Sequence, residues 1–193
     1  MLGQPFVYAE ESYNRRTPLV RAVEKVRPAV VNIYTTEIFR PARNPFRGFG
    51  NNLFDQFFKD FIPPTANQRR SLGSGVLING EGFILTNEHV IAKAAKIHVI
   101  LSDKQEYDAS VIGADIKSDL AIIKINSKKP LPYVEMGRSD DLMIGEQVLT
   151  IGNPFGLQHT VTTGIISALN RNIRAGKNMV YSDFIQVDAS INP

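Results

Sequence analysis

From Gly73 onward the chain is a succession of short apolar runs rich in Val, Ile, Leu, Tyr and Thr, each closed by a cluster of turn residues. That rhythm constrains the fold more than any other feature. Branched and aromatic side chains pack well on a pleated surface, and turns at this spacing lay neighbouring runs side by side as antiparallel strands. Val76-Leu77-Ile78, the turn Asn79-Gly80-Glu81-Gly82 and Phe83-Ile84-Leu85-Thr86 predict a hairpin, with Asn-Gly supplying the positive φ angles of a tight turn. Further runs at 97–101, 107–113, 120–125, 147–151, 161–168 and 184–187 continue the pattern. Antiparallel barrels accommodate it. A parallel sheet needs a crossover between strands, usually a helix, and only 88–96 offers much helix in this region.

Upstream the pattern differs. Thr17-Pro18 followed by Leu19, Ala22, Val23 and Val26 predicts an N-capped helix stopped by Pro28, and 29–39 reads as a first strand. Residues 40–70 are rich in Pro, Gly and Arg and read as a long inserted loop. Within it Leu53, Phe54, Phe57, Phe58 and Phe61 recur at helical spacing, so one short helix carries a strongly apolar stripe. Either that stripe packs on its own domain or it is a regulatory, subunit-contacting surface.

At 193 residues the chain can bury one sizeable core or two small barrels. The predicted division is a tail at 1–16, a first barrel at 17–130 with the 40–70 insertion, and a partial second barrel at 131–193. A net charge of +3 from 22 basic and 19 acidic residues, with no basic face, does not imply nucleic acid. No apolar run approaches the roughly 18 residues of a membrane-spanning helix. The absence of cysteine excludes disulfides, thiolate metal sites and a cysteine nucleophile. No cofactor or metal is implied. Val7 and Ala9 suit a signal-peptidase cleavage site, and an ordinary terminus accounts for them equally well.

Hydrolysis by a serine enzyme needs a base, a carboxylate that orients it, a nucleophile and donors for the oxyanion. Of the 3 histidines, His98 lies inside an alternating strand and His159 in a polar turn, and both read as structural. His89 follows a strand immediately, in Thr86-Asn87-Glu88-His89-Val90, where rigid backbone on both sides can fix its side chain. Thirty residues on, Ser118-Asp119-Leu120-Ala121 places an acid at the mouth of an apolar strand, with Asp115 as a rival carboxylate.

Together with Gly73-Ser74-Gly75-Val76, Gly152-Asn153-Pro154-Phe155-Gly156-Leu157 and Thr163-Gly164-Ile165-Ile166-Ser167-Ala168, these segments resemble the successive motifs of the HtrA/Deg (DegP- and DegQ-like) family of trypsin-like serine endoproteases. The resemblance runs from 17 to 193. It implies an all-β, chymotrypsin-like double β-barrel with the second barrel incomplete, a short N-terminal helix and a Phe-rich loop helix. It implies His89 as general base and Asp119 as its orienting acid, Ile191 as an apolar wall of the primary specificity pocket, and an exported, periplasmic setting. It further implies unfolded-protein or peptide substrates, assembly as a homotrimer or larger homo-oligomer, and a sensor loop at 171–180, which reads equally as an ordinary surface loop.

One departure stands out. The segment 184–193 resembles the approach to the family's Gly-Asn-Ser-Gly-Gly, and that motif does not occur in the 193 residues. Ser190 has no glycine beside it to form a tight oxyanion turn. The expectation is a serine endopeptidase of protein quality control whose 193-residue chain is inactive. The alternative is a non-catalytic, chaperone-like peptide-binding pseudoprotease.

Overall fold

A computed structural model describes residues 15–38, 68–92, 94–152, 160–175 and 179–191. The Phe-rich stripe at Phe54, Phe57, Phe58 and Phe61, residues 153–157 of the 152–157 motif, and His159 lie outside the described residues.

Helix α1 (Pro18–Val26) begins as its sequence predicts: Pro18 occupies the first turn and the Thr17 hydroxyl accepts the Val20 N–H at 3.3 Å. Pro28 then sits in a single 3₁₀ turn, Arg27–Ala29, that delivers the chain to strand β1 (Val30–Ile38). The following strands are β2 (Gln68–Leu77), β3 (Phe83–Thr86), β4 (Lys96–Ile100), β5 (Glu106–Asp115) and β6 (Leu120–Ile125). They close into an antiparallel barrel in the order β1-β2-β3-β6-β5-β4. Closure removes exposed sheet edges, and the period of two sends alternate side chains inward. Val31, Ile33, Leu77, Ile84, Val99 and Ile123 are shielded completely. Burial of each such aliphatic side chain stabilises by about 1.5–3 kcal/mol.

Strands β7 (Gln147–Gly152), β8 (Thr160–Ala175) and β9 (Met179–Val187) form a separate three-stranded sheet. The first part of β8 pairs with β7 and the remainder with β9. Among its described residues only Ile166 is a buried large apolar side chain, whereas Ile165, Phe184 and Ile185 are exposed. A closed barrel beside a partial second sheet agrees with the all-β expectation.

Four local expectations are corrected. The helix predicted over 88–96 is only α2 (Glu88–Ile91), because the Ala95 N–H donates to the Thr36 carbonyl at 2.8 Å and Lys96 pairs with Thr36. Sheet pairing there overrides the helical preference of Ala and Lys. The inserted loop ends earlier than 70, since Gln68 already pairs with Ile38. The predicted loop at 171–180 is partly strand, with Ile173 opposite Tyr181 and Ala175 opposite Met179. In the β2–β3 turn the positive φ falls on Gly82, at +95°, not on Asn79-Gly80. The Asn79 side chain instead accepts the N–H groups of Glu81 and Phe83, both at 3.1 Å, so a longer side-chain-braced turn replaces the tight one. A Cβ on Gly82 would stand 2.6 Å from the Ile125 carbonyl oxygen, so this glycine also lets β6 pass close by.

Candidate active site

At one mouth of the barrel, β3 ends at the buried Thr86, whose hydroxyl donates to the Ser74 carbonyl at 2.8 Å. The chain turns there through Asn87 into α2, which anchors itself by burying Val90 and Ile91 and leaves His89 facing outward. Beside it the β5–β6 turn delivers Asp119 with φ +54°, a left-handed conformation that Asp tolerates better than most residues. His89 and Asp119 meet: Nδ1 and Oδ2 are 2.7 Å apart. The His89 backbone N–H donates to Asp119 Oδ1 at 3.0 Å, and the Glu88 N–H donates to the Asp119 carbonyl at 3.2 Å. The strand-to-helix turn thus wraps the acid from one side.

Burial is the largest single influence on the Asp119 carboxyl and works to raise its pKa. The His89 backbone N–H, the His89 ring and the Asn87 carboxamide outweigh it together, and hold the group below the ordinary value of 3.8. An ionised carboxylate only accepts, so Nδ1 must carry the proton donated to it. Nε2 is then the basic nitrogen, on a side chain 70% exposed. This arrangement can draw a proton from a hydroxyl at the barrel mouth and hold the resulting imidazolium.

The rival carboxylate is engaged elsewhere. Asp115 accepts the Ser118 hydroxyl at 2.7 Å and the Lys117 N–H at 3.1 Å, contacts that lower its pKa and brace the turn preceding Asp119. A second His–Asp pair has the same separation, His98 Nδ1 to Asp108 Oδ1 at 2.7 Å. Its context differs. His98 and Asp108 are direct cross-strand neighbours on β4 and β5, and the His98 ring stacks on Tyr34 with centroids 4.8 Å apart. Neighbouring strands readily produce such a pair, whereas His89 stands on α2 and Asp119 in the β5–β6 turn, two segments folded onto each other.

Motif reading gives Asn87 no role, although its carboxamide donates to the Asp119 carbonyl at 3.0 Å and to Oδ2 at 3.3 Å. Its only sequence signal is its place two residues before His89. An open groove of about 280 Å³ adjoins it, walled by Val30, Val76, Leu85, Leu120 and Ile151. A cavity of about 230 Å³ near Asn170 and Asp183 contains neither His89 nor Asp119. Ile191 is 67% exposed and belongs to neither hollow. Among the described residues there is no cluster of three or more His, Asp or Glu side chains able to hold a metal ion.

The trypsin-like peptidase domain family matches residues 73–193. A protein of Halomonas elongata named "Probable periplasmic serine endoprotease DegP-like" is 43% identical over 185 residues, covering 89% of this chain and 38% of that protein. The protein of the same name from Chlamydia pneumoniae is 47% identical over 157 residues, covering 79% of this chain and 31% of its own length. The chain thus spans well under half of these curated relatives. Among solved structures, the HtrA-type protease AlgW with decapeptide superposes with a TM-score of 0.68 at 43% identity, covering 92% of this chain and 53% of that one. AlgW with tripeptide superposes with a TM-score of 0.70 at 41% identity, covering 92% and 48%.

Proposed function

Because the chain belongs to the HtrA (Deg) family of trypsin-like serine endoproteases, we propose that it supplies the base and acid of a serine endopeptidase that cleaves unfolded or misfolded proteins. The observation that carries this reading is the 2.7 Å contact between His89 Nδ1 and Asp119 Oδ2. His89 acts as general base: Nε2 takes the proton of an attacking serine hydroxyl and returns it to the leaving amine. Asp119 keeps the ring in the required tautomer and stabilises the imidazolium between those steps.

The serine of Gly-Asn-Ser-Gly-Gly is not among the 193 residues, so this polypeptide by itself is inactive in this reading. In this reading the exposed Ile191 is assigned by family resemblance, not by either hollow, to an apolar wall of the specificity pocket that favours small aliphatic side chains before the cut bond and disfavours charged ones. Relatives named as periplasmic support an exported setting. The protein works as a homotrimer or larger homo-oligomer, with the stripe at Phe54, Phe57, Phe58 and Phe61 as a contact between subunits.

Reading the gene past the codon for Pro193 and expressing the longer product tests this proposal. Cleavage of unfolded casein by that product, abolished by His89→Ala, is the expected result, and cleavage indifferent to His89→Ala would overturn it. The 193-residue polypeptide should leave casein intact.

A second reading, a chaperone-like peptide-binding module, is favoured by the exposed Ile165, Phe184 and Ile185 and by the apolar groove. Suppression of aggregation of an unfolded client by the 193-residue chain, with no cleavage by the longer product, would select it.

A further inference from the structure

We propose that Asn87 is a positioning residue for the His89–Asp119 pair, its carboxamide clamping both the main-chain carbonyl and the carboxylate of Asp119. This rests on the catalytic reading of that pair. Asp119 could otherwise present its carboxylate in more than one orientation, because it stands at a turn with φ +54° and its side chain is 27% exposed.

The backbone contributes two restraints that almost any residues at 88 and 89 would provide: the Glu88 N–H on the Asp119 carbonyl and the His89 N–H on Oδ1. The first holds only the main chain; the second pins one end of the carboxylate and leaves it free to pivot. The Asn87 carboxamide adds what a backbone cannot. Nδ2 lies 3.0 Å from the Asp119 carbonyl oxygen and 3.3 Å from Oδ2, and its two hydrogens can serve both. With Oδ1 held by the His89 N–H and Oδ2 by Asn87, the carboxylate plane is fixed from both ends, and Oδ2 stays in line with Nδ1.

The chemistry at 87 is therefore specific. Serine offers a single hydrogen, aspartate would set a like charge against Asp119, and an aliphatic residue offers no donor. Donation to the charged form also helps hold Asp119 ionised, so that it accepts from Nδ1 and leaves Nε2 basic.

The test uses the 193-residue chain labelled with ¹³C and ¹⁵N. In the parent, the Asn87 carboxamide protons should shift with pH in step with the Asp119 carboxyl titration, and a low-field proton should mark His89 Nδ1–H. In Asn87→Leu, which keeps the size and removes the donors, Asp119 should titrate at higher pH and the low-field signal should broaden or vanish. The barrel's amide spectrum should be otherwise retained.

A parent chain without the His89 Nδ1–H signal would sink the catalytic reading itself. A parent that shows it, with an Asn87→Leu variant that keeps both the signal and the Asp119 titration, would overturn the positioning role alone. Should Asn87→Leu fail to fold, the parent still decides: carboxamide protons indifferent to the Asp119 titration would overturn the proposal.

Discussion

Gly73 on β2 lies directly against Val90 on α2: a Cβ at Gly73 would stand 2.6 Å from Val90 Cγ1 and 2.7 Å from Cγ2. Val90 is buried and follows His89, so the glycine sets how closely the short helix rests on the barrel, and with it where the imidazole sits. Gly73→Ala must push Val90 outward. Overpacking of this kind costs about 1–3 kcal/mol, measurable as a lower urea midpoint. Because the strain acts on α2, the His89 ring resonances should shift more than those of His98 on the outer wall. Equal shifts at both histidines would contradict the link between Gly73 and the site.

The pH dependence of stability should report the environment of Asp119. Its folded-state pKa is lowered below 3.8 even though burial, the largest influence, opposes the charge; the His89 N–H, the His89 ring and Asn87 prevail. A carboxyl with a depressed folded pKa contributes stability that is present above the unfolded value and is lost as pH falls through the folded one. Asp119→Asn should therefore be less stable than the parent at about pH 6, with the gap closing as pH falls below about 4. Chemical denaturation across that window checks it, and a gap that persists undiminished at about pH 2 would contradict it.

Inside the barrel Thr35 is completely buried, and its hydroxyl has no hydrogen-bond partner among the described residues. A buried hydroxyl without a partner opposes folding, because it gives up water and gains nothing in return. Thr35→Val replaces the hydroxyl with a methyl of similar size and should stabilise the chain by about 1 kcal/mol. A higher denaturation midpoint with an unchanged slope is the expected readout. Destabilisation would mean that the hydroxyl is hydrogen-bonded after all.

Much of this architecture could be read from the residues, because the barrel is built from local patterns. Leu120 to Ile125 alternates inward and outward as a strand of period two must, and Thr17-Pro18 starts α1 where capping chemistry places it. What escaped depends on contacts between distant segments. The end of α2 is set by β4 pairing with β1, and the positive φ at Gly82 by the approach of Ile125. His89 and Asp119 could be nominated from motifs, but nothing within either segment says that Asn87 reaches across to Asp119. Nor does one strand alone reveal that His98 faces Asp108, since that pairing depends on the register of β4 against β5.

The same dependence on register governs the second sheet, where Gly164 of β8 lies against the segment after β9. Ile165 donates its N–H to Asp188 Oδ1 at 2.6 Å, and the Asp188 N–H returns to the Ile165 carbonyl at 3.4 Å. Asp188 thus continues the ladder past the last residue of β9, with its side chain standing in for a backbone acceptor. A Cβ on Gly164 would overlap Asp188 Oδ1 and lie 2.5 Å from the Ala189 nitrogen, and the backbone at 189 cannot yield as a flexible side chain would. Gly164→Ala should therefore break the link between Ile165 and Asp188. Hydrogen exchange should speed up at the Ile165 and Asp188 amides while protection in the closed barrel holds, because β1 to β6 share no strand with this sheet. Loss of protection throughout the barrel would instead mean that the two sheets unfold as one cooperative unit, with Gly164 supporting both.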